Sequence, residues 1–137
     1  TDIIYLHGEA LKNASTLHPY EAYEIDKDNP DIRIGDKAPD GSQLRPFVIY
    51  FNEDIDIRLW DKAVNAARSA DIFVVVGSTM LVYPAADLLK MLPSDCKLYV
   101  VDPGNVTLPD GCVKEHVHIQ SGASQGLKQL KSTLKLK

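Results

Sequence analysis

Asp71-Ile72-Phe73-Val74-Val75-Val76-Gly77 is the stretch on which the fold turns. A run of apolar residues without polar alternation does not suit a sheet with one wet face. It suits a strand covered on both faces, as strands of parallel sheets are. Lys97-Leu98-Tyr99-Val100-Val101, closed by Asp102-Pro103-Gly104, carries the same signature. We therefore expect 71–77 and 97–101 to be central neighbours in a parallel sheet, with a weaker strand over 116–119. Between them Pro84 suits the first turn of a short helix continuing from Ala85 to Met91. Upstream, the spacing predicts a helix over 55–69, with Trp60, Ala63, Val64 and Ala67 on one face and Asp56, Arg58 and Asp61 away from it. Downstream, Leu127, Leu130 and Leu134 predict a last helix over 124–134. Strands alternating with helices imply right-handed crossovers, hence an α/β fold with helices on both faces of the sheet.

Further out, Phe47-Val48-Ile49-Tyr50-Phe51 reads as a strand over 47–51. The short run Ile3-Ile4-Tyr5-Leu6 reads as a buried strand meeting a turn at His7-Gly8. From Asn13 to Leu44 the pattern dissolves into Pro, Asp, Lys and Gly, with a turn signal at Asp40-Gly41. So long a connector without periodicity points to an irregular functional or degenerate insertion.

The 137 residues, 45% hydrophobic and 25% charged, predict a single domain over 1–137 and exclude a disordered chain. No apolar run approaches the length of a membrane span. The net charge of -4 disfavours a nucleic acid partner, and the lysines at 128, 131, 135 and 137 read as a solvated helix face. Two cysteines, Cys96 and Cys112, make no C-x-x-C pair and no zinc site. Spacing alone leaves a disulfide open, but the composition predicts the cytoplasm, where thiols stay reduced. The chain opens at Thr1 without a signal peptide or an initiator methionine, from which we expect either that an upstream part was removed or that the chain is a piece of something longer.

Ligands of open parallel sheets bind beyond the carboxyl ends of the strands. Gly77 permits close backbone approach there, Ser78 and Thr79 offer hydroxyls and N–H groups, and Asp102 offers an acceptor for a ribose diol. The plainer alternative is that Gly77 and Asp102 merely turn the chain. No G-x-G-x-x-G or G-x-x-x-x-G-K-[ST] loop is present, and no G-x-S-x-G elbow surrounds Ser78. His7 ends a candidate strand as either a hydrogen-bonded structural residue or a base. His18, His116 and His118 have weaker claims. Pattern alone reads as a nucleotide-binding α/β domain without an assigned task.

Leu44-Arg45-Pro46-Phe47-Val48-Ile49-Tyr50-Phe51-Asn52-Glu53 resembles the L-R-P-x-V-V-x-F-G-E segment of the sirtuins, the NAD-dependent protein-lysine deacylases. Leu6-His7-Gly8 is similar to their L-H-G. The block from Gly77 to Ala86, Gly-Ser-Thr-Met-Leu-Val-Tyr-Pro-Ala-Ala, is similar to their G-[TS]-S-L-x-V-x-P-A-A loop. Three blocks in the family's order make a specific resemblance, thinning between Asn13 and Ile34 and after Val106. It implies a Rossmann-like sheet, NAD as cofactor and an acyl-lysine protein or peptide as partner. It implies that His7 is a general base toward a ribose hydroxyl. It implies that Phe51, Asn52 and Glu53, with Leu81, Val82 and Tyr83, flank an extended peptide, and that Val48 and Phe51 line an apolar tunnel for the acyl-lysine. Gly77, Ser78, Thr79 and Asp102 then hold the adenosine side of NAD, with the backbone near Glu115 and His116 a weaker candidate for the adenine.

The departures carry as much information. The family's zinc module lies between the H-G and R-P motifs and uses two C-x-x-C pairs. This interval has no cysteine, so ligand count predicts no zinc and makes 13–44 a degenerate remnant of that module. Asn52 replaces the glycine of F-G-E, and Asp102 stands where the family usually has Asn. The family's N-terminal half, with its G-A-G-x-S phosphate loop and T-Q-N-x-D segment, has no counterpart here. The leading expectation is therefore the C-terminal half of a zinc-less bacterial deacylase, inactive alone and completed by an N-terminal half of the same protein. A non-catalytic NAD or ADP-ribose-binding module, or a structural interaction domain, is the alternative.

Overall fold

The computed structural model describes residues 2–112 and 115–135. The chain falls into two compact units divided between Trp60 and Asp61, each with its own sheet.

In the first unit, β1 (Gly8–Ser15), β2 (Tyr23–Glu24) and β3 (Leu44–Val48) form an antiparallel sheet in the order β2-β1-β3. Gly8 pairs with Val48 and Ser15 with Leu44, with a register shift between Gly8 and Asn13. Gly8 has φ of +81°, and a Cβ there would run into the Phe47 carbonyl oxygen. Only glycine permits both the left-handed backbone and so close a strand. Pro46 lacks an N–H, which the edge position of β3 tolerates.

Three expectations are corrected in this unit. Ile3–Leu6 forms no strand, and Ile3 and Tyr5 are 68% and 45% exposed. Pairing begins only at Gly8, where the chain reaches β3. The strand expected over 47–51 lies at Leu44–Val48, because the chain turns at Tyr50, whose carbonyl accepts the Glu53 N–H at 3.1 Å. The stretch 13–44 is mostly irregular but not unbuilt. It includes the buried end of β1 at Asn13, Ala14 and Ser15, the short β2, and a bridge between Lys37 and Gln43. Gln43 Nε2 donates to the carbonyls of Arg33 and Leu44, both at 2.9 Å.

Helix α1 runs over Ile57–Arg68. The Asp56 carboxylate accepts the Arg58 N–H at 2.9 Å, a side-chain N-cap that satisfies one of the donors a helix start leaves open. Ala63, Val64 and Ala67 are its buried residues, as the spacing predicts, but Asp56, expected away from that face, is itself buried as the cap.

The second unit holds a parallel sheet of β4 (Ile72–Val76), β5 (Lys97–Val101) and β6 (His116–Ile119) in the order β4-β5-β6. Both faces are covered. Val75, Leu98 and Val100 pack with Met80 and with Ala86 and Leu89 of a 3₁₀ helix over Ala85–Met91. Tyr99, Val101 and Ile119 pack with Leu130 of helix α2 (Ala123–Thr133). The expected α/β fold and its parallel neighbours, 71–77 and 97–101, are thus present. The central position of the first is corrected: β4 is an edge strand, with Ile72 and Val76 42% and 38% exposed. An unalternating apolar run reports covered faces, not a neighbour on each side. Among the described residues, no helix is long and apolar enough to cross a membrane.

Candidate functional site

In the second unit the parallel strands bring their carboxyl ends together. The Gly77 N–H donates to the Val101 carbonyl at 2.9 Å, and the Asp102 N–H to the Ile119 carbonyl at 3.3 Å. Gly77 has φ of +61°, and nothing lies within 4 Å of where a Cβ would stand, so the backbone is open to a ligand. Ser78 is half-buried and its hydroxyl accepts the Met80 N–H at 3.2 Å, while Thr79 is exposed. Met80 itself has φ of +56°, an uncommon conformation for a side-chain-bearing residue, and its side chain is buried in the core under β4 and β5. That anchor leaves Leu81, Val82 and Tyr83 72%, 51% and 56% exposed.

Asp102 is half-buried at the end of β5. One carboxylate oxygen accepts the Gly104 N–H at 2.8 Å, and its carbonyl lies 3.0 Å from His118 Nε2. The second carboxylate oxygen accepts no hydrogen bond among the described residues, so the side chain can take up a hydroxyl. Hydroxyls and N–H groups at 77–79 with an acceptor at 102 fit the sugar of a nucleotide; the charge of Asp102 opposes an anionic group placed close to it. Glu115 and His116 fall elsewhere. They stand at the amino end of β6, the opposite end of the sheet from Gly77 and Asp102. The residues that do join the cluster, and that sequence reading missed, are Gln120 to Gly122 beyond β6. Gln120 Nε2 donates to the Pro103 carbonyl at 3.3 Å. The signal for them was available in the strand-end rule, applied to the weak strand as to the strong ones.

In the first unit, His7 is exposed and immediately precedes β1, and its carbonyl accepts the Ile49 N–H at 3.0 Å. The backbone is thus fixed to the chain leaving β3 while the imidazole faces solvent. Val48 ends β3 half-buried, and Phe51 is 90% exposed. Asn52 has φ of +68°. The glycine it replaces in the resembled motif meets a backbone need that asparagine, of the side-chain-bearing residues, meets best.

Glu53 is held from within the unit. Arg45 Nη1 and Nη2 donate to its two carboxylate oxygens at 2.6 and 2.7 Å, and the Tyr50 N–H donates to Oε2 at 2.8 Å. The Arg45 guanidinium first, and the Tyr50 N–H after it, draw the Glu53 carboxyl down to about 2. Among the described residues, no group of three or more His, Cys, Asp or Glu side chains is placed to hold a metal ion. With no cysteine between Gly8 and Leu44, the donor set does not fit the zinc of the resembled family.

Residues 1–84 match the Sir2 family. Over 136 residues the chain is 39% identical to an NAD-dependent protein deacylase of Bacteroides thetaiotaomicron, covering 96% of this chain and 56% of that protein. A protein of the same description from Helicobacter pylori is 33% identical over 140 residues, covering 98% of this chain and 58% of its own. The chain thus spans about half the length of these curated relatives. Among solved structures, a Sir2 homologue–NAD complex superposes with a TM-score of 0.80 at 23% identity, covering 98% of this chain and 52% of that one. A Sir2–p53 peptide–NAD+ complex gives 0.77 at 20% identity, covering 100% and 57%. At those identities the likeness speaks for the fold.

Proposed function

Because the chain belongs to the Sir2 family, we propose that the whole protein is an NAD-dependent protein-lysine deacylase, transferring an acyl group from lysine to ADP-ribose with release of nicotinamide. The observation that carries this reading is His7, an exposed imidazole on a backbone fixed by its hydrogen bond to Ile49. When bound, NAD supplies the ADP-ribose that accepts the acyl group. His7 takes a proton from a ribose hydroxyl, the work of a general base. Gly77 gives a bare backbone to the adenosine side of the cofactor, Ser78 and Thr79 give it donors, and Asp102 accepts from ribose hydroxyls. Val48 and Phe51 supply apolar surface for the acyl-lysine stem. The Phe51–Glu53 loop and the Leu81–Tyr83 segment each offer an exposed edge to an extended peptide.

We further read the parallel sheet of the second unit as part of a Rossmann-like domain, and 13–44 as a metal-free remnant of the zinc module. An N-terminal half of the same protein then carries the Gly-rich phosphate loop, a reading supported by the 56% share of the Bacteroides relative that this chain covers.

The test is turnover of an acyl-lysine peptide by the full-length protein with NAD. Nicotinamide released in step with deacylated peptide, and lost in His7→Ala, is the expected result. NAD binding without turnover returns the chain to a binding module, and absence of both to a structural domain.

A further inference from the structure

Glu53 sits in the loop that the proposed function gives to the substrate peptide, yet its carboxylate is already committed. Both oxygens take the fork of Arg45, one of them also takes the Tyr50 N–H, and Arg45 Nη2 donates besides to the Val48 carbonyl at 3.0 Å. The guanidinium lies over the Tyr50 ring, 4.8 Å from its centroid. The Arg45 side chain is 15% exposed and that of Glu53 34%. A paired fork of this kind fixes direction as well as distance, which a lysine cannot do. It closes the chain from β3 to Glu53 into a ring, and on that ring stand the left-handed Asn52 and the 90% exposed Phe51. An exposed apolar side chain on a tied loop is arranged for a partner before the partner arrives. Partly exposed ion pairs add little to stability, so the use of this one lies in geometry.

We propose that Arg45 and Glu53 are a positioning pair that presets the Tyr50–Asn52 turn for the acyl-lysine peptide, Glu53 acting through Arg45 and not by touching the peptide. The peptide role rests on the deacylase reading above; the clamp does not. The experiment uses the full-length protein with Arg45→Lys, Glu53→Gln and the double variant, followed by amide hydrogen exchange and by steady-state kinetics on an acyl-lysine peptide. Exchange at the Tyr50 amide is expected to quicken about tenfold in each single variant. The KM for peptide should rise about tenfold, while kcat and the KM for NAD move less than about threefold. The double variant should be no worse than the poorer single one, because the two side chains act as one unit. Unchanged exchange overturns the clamp, and unchanged peptide KM overturns its positioning role. Single effects that multiply in the double variant overturn it too, since Glu53 would then meet the peptide by itself. A full-length protein with no NAD-dependent deacylation sinks the deacylase reading and the peptide role with it, while the exchange data still judge the clamp. Should Glu53→Gln fail to fold, Glu53→Asp keeps the charge, shortens the reach, and is held to the same split.

Discussion

At the scale of single residues, His7 and Asn52 separate chemistry from architecture. The His7 backbone is held by the Ile49 N–H, a bond that any residue at position 7 can accept. His7→Ala should therefore leave the fold and NAD affinity of the full-length protein nearly intact. Turnover should fall by about 10²–10⁴-fold, the usual worth of a general base. Turnover, NAD affinity and melting temperature measured on one sample check it. Activity kept within about threefold beside a clear drop in melting temperature would make the histidine architectural. Asn52 makes the opposite kind of forecast. Its φ of +68° is one that a β-branched residue enters at a cost of roughly 1–2 kcal/mol. Asn52→Gly should leave thermal stability almost unchanged and Asn52→Val should lower it, as calorimetry of the pair will register. The motif's glycine and this asparagine are thus two solutions to one backbone requirement, which the sequence displays only as a departure.

At the scale of elements, packing overrides propensity, and Gly126 in α2 shows it. Alanine is the better helix former by about 1 kcal/mol, so propensity favours Gly126→Ala. A Cβ there, however, would run into Val101 Cγ1 of β5, and overpacking costs about 1–3 kcal/mol. The net expectation is destabilisation, read as a lower urea midpoint at unchanged slope. The β3 loop carries a pH forecast. With its pKa drawn down to about 2, Glu53 adds stability that is present above the ordinary carboxyl range and lost as pH falls through the folded value. Glu53→Gln should flatten the decline of melting temperature between about pH 5 and pH 2, modestly, since the pair is partly exposed. The same contrast explains what could be read from the chain. The strands at 97–101 and 116–119 and the helices of 55–69 and 124–134 are written in local apolar patterns and stand within a residue or two of expectation. Leu127, however, placed by its spacing on the apolar face of α2, is 44% exposed while Gly126 is buried. β1 is not written locally. Gly-Glu-Ala-Leu-Lys-Asn-Ala-Ser has no alternation and several helix formers, and it becomes a strand through its ladders with β2 and β3. The Arg45–Glu53 fork was equally hidden, because eight residues of spacing carry no period that would pair them.

At the scale of the whole molecule, the question is how much of a deacylase 137 residues can be. The chain covers 56% of its Bacteroides relative, and its sequence holds neither a G-x-G-x-x-G nor a G-x-x-x-x-G-K-[ST] phosphate loop. The strand ends at Gly77 and Asp102 present hydroxyls, N–H groups and a carboxylate, which suit a sugar and not a pyrophosphate. The carboxylate even repels one. On the proposed function, a base at His7 also needs the far side of the reacting ribose held in place. Holding reactants in a near-attack geometry is worth about 7–11 kcal/mol of barrier, many powers of ten in rate. Loss of that positioning should abolish turnover and not merely raise a KM. We expect the purified 137-residue chain to release no nicotinamide above background from NAD and an acyl-lysine peptide, even at substrate concentrations that saturate the full-length protein. Deacylation by the isolated chain at a rate near that of the full-length protein would show that these residues position the cofactor unaided, and would overturn the division of labour proposed for the two halves.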